Sequence, residues 1–270
     1  MDEYKATGTK SWELVIRDEH GRLLFSIRLK QLDSWHIQAI LRWFRLLGLR
    51  IKVFYVDFWL AYPPAIKAVY PDAHIQYDFF HVIQNIHRHL YKALTAYRKA
   101  FKAAATEPAQ AEVRKALHKK LWHHRYLLFT NEENVSAEQR QILDELLQEH
   151  ADTIVEQIVL FRQHLRTIFN DCDTFALALD HLAVLILDGW ADLGDGFGKV
   201  MAFLEEHIHN MLTYLRIPNI QRYSLSECTV RSLRRIEKVR QGFKTHQGRV
   251  NHLKLLQWRR YLRPEASHPR

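Results

Sequence analysis

Acidic residues stand at the ends of short apolar runs in the first part of the chain. Asp57 closes the run IKVFYV and Asp78 closes the run HIQY, while Asp2 opens the chain. Ligands of an open sheet gather at strand ends, so strands that end in these acids would bring carboxylates together. Such carboxylates repel each other unless a hard divalent cation with oxygen ligands neutralises them. The pattern predicts a Mg²⁺ site, and two such ions can assist an in-line displacement at phosphorus.

Each of these aspartates also has a structural interpretation, because aspartates at strand ends commonly cap the next helix or form a turn. Glu227 presents the same choice. It lies near the start of a helix predicted over 224–239, and Arg231 and Arg234 follow on its face at spacings of four and seven residues. The glutamate can bind metal there while the arginines bind phosphate. The segment SLSE at 224–227 also fits a capping box, and the local sequence alone favours that cap.

The elements that must position these residues alternate between strand and helix patterns, as is typical of an α/β protein. Two β-rich runs joined by DEHG predict an antiparallel hairpin, and Asp33 or Ser34 is the expected N-cap of the first helix. The predicted order is strand 12–17, strand 22–29, helix 34–47, strand 51–56, helix 61–69, strand 74–77 and a long amphipathic helix that includes 83–101.

From residue 104 to residue 222 the pattern is helical throughout, and no segment has the pattern of a strand. Breaks are expected at 106–108, 130–136 and 188–198, where loop-forming residues interrupt the helical periodicity. The sequence therefore predicts a large all-helical region that follows the α/β part.

The chain has 39 Lys and Arg against 30 Asp and Glu, a formal net charge of +9. Between 231 and 263 eleven basic residues face one acidic residue, so the remainder of the chain sums to nearly zero. A basic stripe attached to a near-neutral body is the electrostatic pattern of a polyanion binder. A solvated tail that keeps the protein soluble has the same composition, and charge alone does not separate the two interpretations.

Several classes of protein are excluded by composition. The two cysteines stand in no zinc-binding pattern and suggest no disulfide framework, which fits a reducing cytoplasm. The most apolar stretch, 175–187, carries Asp180 and His181 and is too short to cross a bilayer. The first residues contain no signal-peptide apolar region, so we expect a cytoplasmic protein without a membrane partner.

Taken together and in this order, several segments of the chain resemble a DDE transposase of a bacterial insertion sequence. Any one of these segments is a weak signal, whereas their combination is specific. They are DEY (2–4) before WELVIRDEHGRLL (12–24), VD (56–57) with YP (62–63), YPDA (70–73) leading to DFFHV (78–82), and SE (226–227) followed by LRRIE (233–237) and RQGF (240–243).

The resemblance implies an RNase H-like core, a mixed sheet flanked by helices, with a large all-helical insertion before the last catalytic helix. On this basis the expected organisation is a first part of the core at 1–103, the insertion at 104–222, the catalytic helix that completes the core at 223–243, and a basic C-terminal helix and tail at 244–270.

The same resemblance implies roles for individual residues. Asp2, Asp57 and Glu227 would be the catalytic triad and would bind Mg²⁺ or Mn²⁺, and Asp78 and His81 would lie next to the site without being primary ligands. Salt-sensitive phosphate contacts would come from the basic segment. Its expected DNA-binding residues are Arg231, Arg234, Arg235, Lys238, Arg240, Lys244, Arg249, Lys254, Arg259 and Arg260.

The implied reaction is DNA strand transfer. Water attacks a phosphodiester at the end of the element, and the freed 3′ hydroxyl then attacks target DNA. The expected partners are therefore insertion-sequence ends and target DNA, at the nucleoid, and a homo-oligomer is compatible with this activity.

One feature departs from the family pattern: Asp2 is nearly the first residue, whereas the family's first acid follows several β-forming residues and an upstream DNA-binding domain. A mobile N-terminus would hold a metal ligand poorly. This predicts a truncated gene product and opens an alternative function, that of a catalytically inactive remnant that binds DNA or an intact transposase.

Overall fold

The computed structural model describes residues 1–5, 11–18, 20, 23–104 and 108–222, together with 245, 247–248, 251–252 and 255. The chain divides into two compact units. Unit 1 comprises 1–81 and 221–270, and unit 2 comprises 82–220. Strands and helices both occur, which confirms the α/β class.

Unit 1 begins with a three-stranded antiparallel sheet in the order β1-β2-β3. The strands are β1 (Asp2–Lys5), β2 (Trp12–Arg17) and β3 (Leu23–Leu29), so the predicted hairpin is confirmed. Asp2 lies opposite Val15 in the register of β1 and β2. Leu14 and Val15 are both completely buried, although their side chains point to opposite faces of the sheet.

The first helix, α1 (Ser34–Leu46), starts as the sequence predicts. Asp33 is its N-cap, and the Asp33 carboxylate accepts a hydrogen bond of 3.0 Å from the backbone N–H of His36. Gly48 lies just beyond the helix with a φ of 81°, a conformation that favours glycine. The buried face of α1 consists of Ile37, Ile40, Leu41 and Phe44.

Two short parallel strands follow, β4 (Val53–Val56) and β5 (His74–Tyr77), with helix α2 (Tyr62–Val69) between them. Prolines in the first turn of α2 fit the positions where the backbone N–H has no helical partner. Val56 lies opposite Tyr77, so the two strands end in register.

Unit 2 is helical throughout its described residues, 82–104 and 108–220, as the sequence predicts. The predicted break at 188–198 is too long, because the last helical segment of that region begins at Asp195. The helices are α3 (Phe79–Ala103), whose first residues belong to unit 1, α4 (Pro108–His124), α5 (Ala137–Glu149), α6 (Ile154–Arg166), α7 (Phe175–Leu187), α8 (Asp195–Met211) and α9 (Thr213–Arg216).

The core of unit 2 is built on aromatic contacts and one close helix crossing. The Phe161 ring packs 5.1 Å from the Trp190 ring and 5.3 Å from the Phe197 ring, centroid to centroid. A Cβ at Gly196 would lie 2.6 Å from the Ala93 Cβ, so glycine is what lets α8 approach α3. Among the helices of the described residues, none is long and apolar enough to span a bilayer.

Candidate active site at the ends of two parallel strands

The two parallel strands of unit 1 bring two acids to one sheet edge. The Asp78 N–H donates to the Val56 carbonyl at 2.9 Å, which extends the ladder one residue beyond the strands. Asp57 and Asp78 therefore follow neighbouring strands at the same end, where adjacent backbones lie about 4.8 Å apart.

Each of these carboxylates accepts a backbone hydrogen bond from two residues further on. The Trp59 N–H donates to Asp57 Oδ1 at 3.1 Å, and the Phe80 N–H donates to Asp78 Oδ1 at 3.0 Å. Both aspartates therefore have the structural role that their positions predict: Asp57 closes a turn and Asp78 caps α3. These bonds orient the two carboxylates.

The two acids differ in burial. Asp78 is only 4% exposed, whereas Asp57 is half-buried. A carboxylate with an accessible oxygen and a fixed orientation suits a hard divalent cation, whose ligands are oxygens. Asp57 fits that requirement, while the burial of Asp78 fits a role next to the site.

The beginning of the chain lies beside β4. The Met1 amino group donates to the Tyr55 carbonyl at 2.5 Å, and Met1 is buried. Met1, the residue before Asp2, is thus held at Tyr55, which lies two positions before Asp57 in the sequence. The side chain of Asp2 is outside the described part of the structure.

The chain returns to the same edge at the end of the helical unit. The Gln221 N–H donates to the Tyr55 hydroxyl at 3.1 Å, and burial raises the pKa of that tyrosine. The Phe79 N–H donates to the Arg222 carbonyl at 3.2 Å, and the Arg222 guanidinium lies 4.8 Å from the centre of the Phe79 ring. Residues 221 and 222 were given no role by the sequence, because nothing in their types signals a long-range contact.

His81 lies on the first turn of α3, one residue beyond Phe80. It is partly exposed, and its ring packs edge-on against the Phe80 ring at 5.5 Å. The structure thus brings Asp57, Asp78 and His81 into one region of unit 1, around the ends of β4 and β5.

The remaining predicted site residues lie outside the described residues. These are Glu227 and the basic residues Arg231, Arg234, Arg235, Lys238, Arg240, Lys244, Arg249, Lys254, Arg259 and Arg260. In the part of the chain whose side chains are described, no cluster of three or more His, Cys, Asp or Glu is arranged to hold a metal ion. The side chains of Asp2 and Glu227 lie outside that part.

A buried acid on β2 was not singled out by the sequence. Glu13 is completely buried, accepts a hydrogen bond from the Ser26 hydroxyl at 2.8 Å, and pairs with Arg28 at 3.3 Å between Nε and Oε2. Its sequence signal is a charged residue within the apolar run WELVIR, next to a basic residue on the paired strand.

Among protein families, a model of the ISL3 type of DDE transposases, described as a transposase, matches residues 1–247. No curated protein and no solved structure matches the chain significantly.

Proposed function

The chain belongs to the ISL3-type family of DDE transposases, whose members act in DNA transposition, and on that premise we propose a catalytic role for its strand-end acids. DDE transposases generally use divalent metal ions. In this proposal Asp2, Asp57 and Glu227 hold Mg²⁺ or Mn²⁺, and the enzyme cleaves insertion-sequence ends and joins them to target DNA.

The observation that carries the proposal is that three distant parts of the chain meet around β4 and β5. Met1 bonds to Tyr55, Asp57 ends β4, and Arg222 bonds to the first residue of α3. Glu227 comes five positions after Arg222, a reach of about 17 Å when fully extended and about 7.5 Å in a helix. A shared site of the three acids is therefore sterically accessible.

Each described residue of the proposed site has a defined task. Asp57 offers an accessible carboxylate oxygen while its turn bond to Trp59 holds the group in place. Asp78 is buried and caps α3. Its proposed task is to hold the end of β5 in place next to the site, and it is not a primary metal ligand. When bound, the divalent ions would stabilise charge on the attacking and leaving oxygens of the phosphodiester.

The sheet topology supports an RNase H-like core. The order β3-β2-β1 and the pair β4-β5 form separate sheets, but the bond from Met1 to Tyr55 brings the start of β1 against β4. Such a bond would join the two into one mixed sheet with the acids near its centre. We keep 1–103, 104–222, 223–243 and 244–270 as the proposed division into core, insertion, catalytic helix and basic tail.

DNA is the partner of a transposase, and the basic segment 231–263 would supply phosphate contacts that weaken as salt rises. The ten basic residues predicted there stay a prediction, as do homo-oligomerisation and association with the nucleoid. Catalysis and DNA binding are separable properties of the protein, and the first experiment addresses catalysis.

The test is DNA cleavage by the purified protein in Mg²⁺ or Mn²⁺, with DNA that carries the ends of the insertion sequence. We expect Asp57→Asn and Glu227→Gln to lower cleavage at least 1,000-fold, about 4 kcal/mol in the barrier, with unchanged thermal stability. Asp72→Asn is the matched control, because it makes the same change at an exposed turn before β5 and should cleave normally.

Different results would point to different functions. Persistent cleavage by Asp57→Asn would reject the metal-site proposal. If Glu227→Gln loses about 1 kcal/mol of stability and still cleaves, the glutamate is a helix cap. DNA binding by the parent protein without any cleavage would favour the inactive remnant, and nicked products without joined products would indicate a nuclease.

A further inference from the structure

Unit 2 contains its own concentration of positive charge. Between 82 and 125 the chain has ten Lys and Arg but two acids, Glu107 and Glu112, and five histidines besides. Helix α3 has no acidic residue at all. The near-neutral sum of the chain outside its C-terminal segment hides this excess, because acids elsewhere offset it in the count.

The basic residues of α3 form an exposed stripe. Arg88, Lys92, Lys99 and Lys102 are all exposed, and their spacings of four, seven and three residues keep them on one face of a helix. The stripe is about 21 Å long at 1.5 Å per residue. That length corresponds to about six base pairs of duplex DNA at 3.4 Å each.

Helix α4 also carries exposed basic residues. Lys115 and Lys119 are exposed and one turn apart, followed by His123 after another turn. Lys115 makes a long, solvent-exposed contact of 3.4 Å with Glu112. Among the described residues, no ion pair is recorded for Lys92, Lys99, Lys102 or Lys119.

Arginines and an aromatic ring connect the two helices. The guanidinium carbons of Arg98 and Arg125 lie 3.7 Å and 3.9 Å from the centre of the Trp122 ring. Arg125 Nε donates to the Tyr91 hydroxyl at 2.5 Å, while Arg98 Nε has no hydrogen-bond partner in the described structure. Aromatic groups rather than carboxylates therefore hold these arginines, and their charge stays uncompensated.

The pKa values of two neighbouring histidines are lowered in part by these positive charges. The pKa of His118 is lowered by desolvation and then by the charges of Arg98 and Lys102. Desolvation also lowers the pKa of His89, followed by the charges of Arg88 and Lys92. Arg98 and Lys102 of α3 therefore lie close to His118 of α4.

We propose that Arg88, Lys92, Arg98, Lys99 and Lys102 of α3, Lys115 and Lys119 of α4, and Arg125 just beyond α4 bind the phosphate backbone of DNA. These residues are together called the α3–α4 surface. The proposal rests on the proposed function for the identity of the DNA, but it adds a binding surface outside the C-terminal basic segment. Between Arg88 and Lys102 no large apolar side chain of α3 is exposed, which favours a phosphate backbone over a membrane, since membrane-bound helices need an apolar face.

The experiment measures DNA affinity without catalysis. Full-length Asp57→Asn protein in EDTA is titrated against a fluorescein-labelled 30-base-pair duplex, by fluorescence anisotropy between 50 and 300 mM salt. The Lys92→Ala/Lys99→Ala variant is expected to bind about tenfold more weakly at low salt, and its log–log salt slope should fall by about 1.8. Alanine preserves helix propensity, so circular dichroism should show an unchanged fold.

A matched variant, Arg42→Ala/Arg140→Ala, removes the same two charges from exposed positions of α1 and α5 and is expected to bind as the parent does. An equal loss in this control would show that only net charge matters and would overturn the proposal. So would an unchanged salt slope in Lys92→Ala/Lys99→Ala, or a loss of binding to duplex RNA but not to DNA. Because no metal is present, inactive parent protein would leave this result valid.

Discussion

The strand-end region of unit 1 and the α3–α4 surface of unit 2 differ in how their charges are compensated. Three acids of unit 1 have hydrogen-bond donors nearby: Asp57 and Asp78 accept backbone N–H groups, and Glu13 pairs with Arg28 and Ser26. On α3 and α4 most cations have no anionic partner in the described structure. Metal ligands need fixed positions, whereas phosphate contacts need only a favourable potential, and the two regions match those two requirements.

This comparison implies that removing a charge has opposite consequences in the two regions. Removal of the buried Glu13 carboxylate from unit 1 should leave its partners unsatisfied and lower stability. On the α3–α4 surface, removal of a cation should relieve repulsion and lower DNA affinity instead.

The largest effect is expected for Glu13→Ala. The substitution leaves Arg28 and Ser26 without their buried partner and opens a cavity in β2, so the free energy of unfolding should fall by about 3 kcal/mol. Urea denaturation followed by circular dichroism measures it. Glu112→Ala is the control, because that acid is exposed and its ion pair with Lys115 is solvent-exposed, so a change within about 0.5 kcal/mol is expected. Equal losses in both variants would break the comparison.

The interior of unit 2 provides a case of burial without compensation. Burial, together with the charge of Arg162, lowers the pKa of His87 to about 4, and the ring packs 5.1 Å from Phe129. The unfolded chain therefore binds a proton below pH 6.5 that the folded chain does not bind until about pH 4. Stability should decrease by about 2 kcal/mol between pH 7 and pH 5 because of this one group.

The His87→Gln variant tests that assignment. It should be less sensitive to pH over the same interval, by about 2 kcal/mol, when unfolding free energies are measured at both pH values. His74→Gln, at an exposed position of β5, should keep the parent's pH dependence. If both variants behave alike, the destabilisation comes from other groups.

The elements of unit 1 were predictable because local chemistry determines them. Asp33 caps α1, Gly48 follows it, and Asp57 and Asp78 follow strands that periodicity alone identifies. The burial of Glu13 was not predictable from the sequence WELVIR. Both faces of β2 are covered, so the strand lacks the alternation of buried and exposed residues that is expected when one face is exposed. The roles of Asp2 and Glu227 stay predictions.

The charged surface of unit 2 was missed for a different reason. A sum of formal charges contains no positions, so the acids of α5 cancel the bases of α3 and α4 in the count. In space only Lys120 meets those acids, through Glu145 at 2.9 Å and Glu149 at 2.7 Å. The start of α8 was likewise placed too late, because Gly196 signals a loop in sequence but permits a helix crossing in the fold.

The smallest expected effect has the opposite sign. Lys99 lies beside Arg98 and one turn from Lys102, and no acid of α3 offsets them. Lys99→Ala should therefore raise the free energy of unfolding by about 0.5 kcal/mol, through less repulsion and higher helix propensity, while it weakens DNA binding.

The contrast is Lys120→Ala, which removes two ion pairs and should lower stability by up to about 1 kcal/mol without affecting DNA affinity. Urea titrations of both variants, beside the anisotropy assay, measure the two quantities. A loss of stability in Lys99→Ala would mean that its charge is compensated after all, and the α3–α4 surface would then be a structural feature rather than a binding one.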